Sequence, residues 1–470
     1  RGAAQRGAAQ PGTAQPGTGR PGPAQLTTGR GAALYIGALL GPGLLLLPGL
    51  AAAEAGPASV LAWAGLLILS GLFAVVFGAL GRGFPSTGGV IGYVRAGLGT
   101  RAGAGAGWCF LAGVVAGAPV VCLIGAGYVT ELSGGGTLTR ALVAAALLLA
   151  VLGLAGGGLR TSATAQLLLV GLLLAVVGAA VAGSAPASHA ANWLPFAPHG
   201  WAAIGHAAAT LMLSFVGWEA VAPLTTRFAD PPRQLPRVIG IALGVTSLLY
   251  LGLAVATVSV LGTGAGTSTP LAALLRTAAG PAGTAAAAVA AVVLTLGAVN
   301  AYVNGAAEMS AEMSAARARS AARARGRAAR TVTGPAVTRP ASTSPVLTRP
   351  ALTRPAEADP AAAARPAPRF LLAVAGSGLA LITLYAAGLA SPAALVALPT
   401  TLFLAVYLGC MLSAARMLRG PARWAALPAA AIVAAVLGYC GWALLAPLGI
   451  AVAACLRRRS FPAGARPGSR

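Results

Sequence analysis

The chain has 470 residues, of which 57% are hydrophobic and only 9% charged, with a mean hydropathy of +0.80. No soluble globular domain carries such a surface, so composition excludes one and predicts an integral membrane protein. A formal net charge of +24 would suggest nucleic acid in a soluble chain; here it reports topology and contact with anionic inner-leaflet lipid, and nucleic acid is not a predicted partner.

Residues 1–30 repeat Arg-Gly-Ala-Ala-Gln and related units with almost nothing apolar to bury, which predicts a disordered cytoplasmic arm. No signal peptide is evident, because the first apolar stretch follows this polar arm and has full span length. Segments long enough to cross about 30 Å of hydrocarbon recur near 32–53, 59–80, 103–129, 139–156, 163–183, 201–224, 238–261, 282–305, 370–389 and 392–414. Residues 424–456 predict two shorter spans turned at Gly438 and Gly441. The expected fold is therefore all-α, with about twelve transmembrane helices: spans 1 to 8 within 31–316 and spans 9 to 12 within 369–456. Between them, 317–368 reads as a disordered, basic, Pro-rich cytoplasmic loop. Its arginine-rich start continues the helical phase of span 8 and suits anionic lipid, and its remainder is an extended tether. Residues 457–470 form a cytoplasmic tail.

All thirty-two basic residues are arginine. In a twelve-span arrangement every one except Arg140 and Arg276 falls on the same side as the N-terminus. The positive-inside rule then predicts a multi-pass plasma-membrane protein with both ends in the cytoplasm. Cys109, Cys122, Cys410, Cys440 and Cys455 lie in or beside apolar spans without paired spacing and read as packing residues. Gly37/Gly41, Gly103/Gly107 and Gly113/Gly117 have the small-xxx-small spacing of close helix contacts. His189, His199 and His206 flank the start of span 6 with no cysteine or carboxylate cluster, so no metal site is predicted.

Two interruptions carry the function. Gly41-Pro42-Gly43 stands mid-way along span 1, where glycine costs a helix about 1 kcal/mol and an interior proline about 3. Five spans later, Ser214-Phe215-Val216-Gly217-Trp218-Glu219 breaks span 6. Helix breaks in corresponding positions of two five-span units are the mark of a five-plus-five inverted repeat, whose discontinuous helices 1 and 6 meet at the midplane around substrate. An unwound segment exposes N–H groups suited to a carboxylate on one half-helix and carbonyls suited to an ammonium on the other. That combination fits a zwitterionic amino acid.

The same residues resemble the amino acid-polyamine-organocation superfamily of transporters. Gly41-Pro42-Gly43 with Pro48-Gly49 is similar to its span 1 break, and Ala55-Gly56-Pro57-Ala58-Ser59 with Ala62-Trp63 to its approach to span 2. Phe84-Pro85-Ser86-Thr87-Gly88-Gly89 with Tyr93-Val94 resembles the loop after span 2. Phe215 to Glu219, continuing to Asp230-Pro231-Pro232-Arg233-Gln234-Leu235-Pro236-Arg237, resembles span 6 and the loop after it. Phe77-Gly78-Ala79-Leu80-Gly81-Arg82 and the wording of span 6 look most like the bacterial branch that exports methionine and branched-chain amino acids. Three departures stand out. Pro42 replaces a small residue that has an N–H, Arg227 replaces an acid, and span 5 lacks the lysine of some proton-coupled relatives.

The resemblance implies a secondary active transporter of amino acids and no enzyme; no nucleophile with a base, and no metal cluster, is seen. It favours proton-coupled export of neutral apolar amino acids, with uptake or exchange as the alternative and a non-transporting sensor behind both. Substrate-binding candidates are Gly41, Gly43, Leu44, Ser214, Phe215, Val216 and Gly217, with carboxylate donors expected from the Gly43 and Leu44 amides. Phe215 is either a gate over substrate or core packing. Glu219 is the proton-coupling candidate, or else a structural partner of the broken helix. Asn300 and Asn304 share one face of span 8 and either line the path or hydrogen-bond between helices. No cofactor is expected; a proton gradient is the favoured energy source, sodium coupling stays open, and the sequence sets no oligomeric state.

Overall fold

The computed structural model describes residues 26–84, 89–158, 162–220, 228, 230–332 and 366–456. Within them, nine helical stretches are long and apolar enough to cross a membrane. Span 1 consists of α1 (Thr28–Leu39) and α2 (Leu47–Ala55), and span 2 is α3 (Ser59–Gly83). A short α4 (Gly89–Leu98) precedes span 3, α5 (Thr100–Ser133), with α6 (Thr137–Gly156) and α7 (Ala163–Ser184) next in the chain. Span 6 begins with α8 (Ala203–Leu211), span 7 is α9 (Pro231–Leu261), and α10 (Pro270–Val332) carries span 8. Spans 9 to 12 are α11 (Pro368–Ala386), α12 (Pro392–Met417), α13 (Pro421–Gly438) and α14 (Leu445–Leu456). The predicted order and number of spans are thus present, with span 6 reduced to its first half among the described residues.

Local chemistry explains where these helices begin. Ser162 accepts a hydrogen bond from the Ala165 N–H (3.0 Å) and Ser391 from the Ala394 N–H (3.2 Å), each occupying a donor that the first helical turn leaves free. Asp230 caps α9 through the Arg233 N–H (3.3 Å), with Pro231 at the first helical position, where its missing N–H does no harm.

Two elements differ from the expected layout. The stretch after span 2, expected as a loop, contains α4. Within α10, Ala279 and Gly280 are non-helical, Gly280 at φ +61°, so 270–278 is a separate short helix before span 8 proper. The helix then runs on through the arginine cluster to Val332, so 317–332, the first part of the stretch expected as a disordered loop, is helical. The Pro-rich stretch 333–365, both terminal segments, the motif at 85–88 and Arg227 lie outside the described residues.

Spans 3 and 8 form the most extensive helix contact. Small residues permit it: Gly125 faces Thr295 so closely that an added Cβ would lie 3.0 Å from the Thr295 Cβ. Gly113 meets the Phe403 ring of α12 in the same way, at 3.1 Å. At the face opposite the arginine-rich loops, Arg276 pairs with Glu131 (3.1 Å), which also accepts from Thr269 (3.2 Å). Arg140 donates to the Leu123 carbonyl (3.0 Å) and stands over the Tyr385 ring. Both arginines on the sparsely charged face are therefore engaged. Gly125→Val should overpack the span 3 and span 8 contact by about 1–3 kcal/mol, seen as a lower melting temperature of purified protein in detergent than for the wild type.

Candidate functional site

The chain leaves helical geometry at Leu40 and stays extended at Gly41 (ψ 166°). It then makes one 3-10 turn, Pro42–Leu45, before α2. Pro42 supplies the φ of a turn and no donor. The turn closes through the Leu44 N–H onto the Gly41 carbonyl (3.2 Å) and the Leu46 N–H onto the Gly43 carbonyl (3.1 Å). This corrects one expectation. Leu44 offers no free amide, because the turn that Pro42 sets up consumes it, and its side chain is fully buried. Gly43 has no backbone acceptor among the described residues.

In span 6, α8 tightens into a 3-10 turn at Met212–Phe215, and the chain is extended at Val216. Gly217 then adopts φ +135°, open to glycine and strained for other residues. A Cβ there would also collide with the Ala38 carbonyl at the end of α1. The two breaks are thus pressed together. On the other side of the contact, a Cβ at Gly43 would lie 3.2 Å from Ser214 Oγ, and one at Gly41 would lie 3.7 Å from the Tyr302 hydroxyl of span 8.

Tyrosines from three other spans occupy the backbone groups that the breaks release. Tyr128 of span 3 donates to the Leu45 carbonyl (2.6 Å). Tyr250 of span 7 lies within hydrogen-bond distance of both the Leu39 carbonyl (2.9 Å) and the Ser214 carbonyl (2.6 Å), one from each break. Its single hydrogen is shared between two carbonyls that each have two lone pairs; the Leu39 carbonyl also accepts from the Gly41 N–H (3.0 Å), so spare acceptor capacity lies mainly at Ser214. Tyr407 of span 10 accepts from the Gly217 N–H (2.9 Å) and the Trp218 N–H (3.1 Å) and donates to Glu219 Oε2. With two donors on its oxygen, the hydroxyl hydrogen is directed at Glu219. Oε2 also accepts from the Gly217 N–H (2.9 Å). It is therefore an acceptor twice over, and a proton held by this carboxyl belongs on Oε1.

Glu219 accordingly holds the frayed end of the broken helix through Oε2. Trp218 is locked by its indole N–H on Ser70 Oγ (2.9 Å) and by its carbonyl, which accepts from Tyr35 (3.2 Å). Phe215 is buried, packed against Trp63 and Tyr250 with ring centroids 5.9 and 5.2 Å away. Val216 is also buried. Ser214 differs: its Oγ is buried with no hydrogen-bond partner.

Asn300 and Asn304 are buried, and the Asn304 amide donates to the Asn300 carbonyl (2.9 Å) and Oδ1 (3.0 Å) along the same helix. They pair with each other; the span 8 residue that reaches the breaks is Tyr302. Sequence reasoning missed Tyr128, Tyr250 and Tyr407, although a phenol deep in an apolar span is itself a signal, since its hydroxyl must find a partner there.

A family model described as amino acid permease matches residues 26–319, more than half of the chain and all of the elements that form the two breaks. The chain belongs to the amino acid permease family. It is 32% identical over 277 residues to the uncharacterised amino acid permease YecA of Bacillus subtilis, covering 59% of this chain and 65% of that protein. It is likewise 32% identical over 233 residues to the L-methionine/branched-chain amino acid exporter YjeH of Escherichia coli, covering 48% and 54%. To the branched-chain amino acid permease BcaP of Bacillus subtilis it is 28% identical over 271 residues, covering 52% and 57%. The matches thus span between half and two thirds of these relatives. In this permease the breaks depend on their supports. Tyr250→Phe should leave the Ser214 carbonyl unpaired and the Leu39 carbonyl with the Gly41 N–H alone, lowering stability by about 1–3 kcal/mol. Gly217→Ala, which meets backbone rather than a mobile side chain, should cost more; unfolding in detergent ranks the two.

Proposed function

We propose that this multi-pass membrane protein is a secondary active transporter that moves amino acids by alternating access around the paired breaks of spans 1 and 6. One observation carries this reading: Ser214 Oγ is buried without a partner and faces Gly43 across the contact between the breaks. Buried polar groups are ordinarily paired, and an orphan at a helix break calls for a ligand. The start of the 3-10 turn, with the Gly43 N–H and the Ser214 hydroxyl, suits the substrate carboxylate. The Leu39 and Ser214 carbonyls, which share one tyrosine hydrogen, suit the ammonium group.

Selectivity for neutral apolar side chains is expected from the surroundings. Leu44, Leu47, Trp63 and Phe215 are buried around the breaks, and no charged side chain other than Glu219 is found at them among the described residues. The named exporter and permease among the relatives act on methionine or branched-chain amino acids, in keeping with such a pocket. Export is the favoured direction, driven by a proton exchanged at Glu219 Oε1, and uptake by the same site is the alternative that the permease relative supports. The arginine distribution supports a plasma-membrane orientation with both termini cytoplasmic, in which the helical arginine run that ends near Val332 would meet anionic inner-leaflet lipid.

Counterflow in proteoliposomes loaded with each of the twenty amino acids, at two pH gradients, tests class, substrate and direction together. Leucine, isoleucine, valine or methionine should exchange, and the rate should depend on the gradient; exchange of none of the twenty would contradict the proposal. Ser214→Ala should raise the half-saturating concentration about 5- to 10-fold, equivalent to one hydrogen bond of about 1–1.5 kcal/mol. Glu219→Gln, which retains an oxygen acceptor for Tyr407, should keep exchange while removing its dependence on the pH gradient. A retained dependence would move proton coupling to another group.

A further inference from the structure

A second carboxylate sits in the membrane region without a role in the site above. Glu54 ends α2, the outer half of span 1, and accepts a hydrogen bond at Oε1 from Thr210 Oγ1 (2.8 Å) of α8, the outer half of span 6. The bond joins the same two broken helices that meet at the midplane, now at their outer ends. Oε2 of Glu54 is buried and has no hydrogen-bond partner. An ionised carboxylate shares its charge between both oxygens and is costly to bury with one of them bare, whereas a carboxylic acid leaves only a neutral O–H unpaired. The closed contact between α2 and α8 therefore suits the protonated acid, and the ionised form suits a state in which water reaches Oε2.

The surroundings leave this balance in few hands. His206, one turn before Thr210 on α8, is the titratable side chain on that helix and stacks edge-on against Tyr439 (5.1 Å). The other elements packed on α2 are span 2, span 7, the turn at 42–45 and the segment at 56–58. Their only charged side chains are Arg82, Arg233 and Arg237, at the inner ends of spans 2 and 7, and the titratable Tyr250 of span 7 is committed to the breaks. The segment 262–269, which covers Gly49 and Ala53 of α2, has no charged residue.

We propose that Glu54 is a proton-exchange site at the outer end of the transport path. Its carboxylate takes a proton from water on the outer side as α2 closes on α8, and when the helices part its O–H bond breaks and the proton returns to that water. This rests on the transporter reading for the opening movement, but the protonation itself can be read without transport. Infrared difference spectra of the full chain in lipid vesicles, recorded while pH is raised through neutrality, report a protonated carboxyl by its C=O stretch. In the Glu219→Gln background such a band should be present and disappear as pH rises. It should be absent from the Glu54→Gln/Glu219→Gln double variant, which keeps an acceptor for Thr210, and return with Glu54→Asp. A band that is missing, or unchanged by Glu54→Gln, would overturn the proposal. A Glu54 band in a protein that exchanges no amino acid would instead leave this site standing and remove the transporter reading.

Discussion

A backbone group released from a helix inside hydrocarbon has no water to turn to, and that constraint organises this protein. Breaking spans 1 and 6 frees carbonyls at Leu39, Leu45 and Ser214 and N–H groups at Gly217 and Trp218. Tyrosines from spans 3, 7 and 10 meet nearly all of them. Each tyrosine combines a ring that packs among apolar neighbours with one hydroxyl that reaches the backbone. The surrounding helices thus act as a frame whose polar contacts end at the breaks, and glycine at 217 permits both the positive φ and the close approach to Ala38.

The groups that the frame leaves unmet are informative in the same terms. While tyrosines meet the carbonyls at Leu39, Leu45 and Ser214 and the amides at Gly217 and Trp218, the buried Ser214 hydroxyl has no partner among the described residues and stands beside Gly43, where the breaks face each other. Carbonyls that share a single hydroxyl hydrogen lie on the same contact. Donors and spare acceptors side by side in an apolar setting match the two charged ends of an amino acid, and the buried rings and leucines around them match an uncharged side chain. Glu219 belongs to the frame: one of its oxygens is fixed by Tyr407 and the Gly217 amide, and the proposed proton exchange falls to the other.

Much of this was legible in the sequence, and the limits have physical causes. Span positions could be read from the length of apolar runs, and the breaks from Gly-Pro-Gly and Phe-Val-Gly standing where helices should continue. The short helices at 89–98 and 270–278 were hidden because neither is long enough to register as a span. Leu44 was read as a free donor because residue identity says that an amide exists but not where it is spent. For Asn300 and Asn304 the spacing predicts path-lining or bonds between helices, and it does not reveal the bonds along the helix that Asn304 donates to Asn300. Tyr250 and Tyr407 act on groups that are up to 211 residues away in sequence, a distance at which no local pattern operates. Glu54 drew no notice at the end of an apolar run; only its contact with Thr210 across the two half-helices gives it meaning.

The central claim is that the two breaks form one amino acid site, and cross-linking measures it directly. Cysteines introduced together at positions 43 and 214, in a background with the native cysteines replaced, should form a disulfide readily on mild oxidation. Leucine or methionine should slow that reaction, while leucinamide, which lacks the carboxylate, should not. Failure of the pair to cross-link, or cross-linking at the same rate with and without amino acid, would contradict the account.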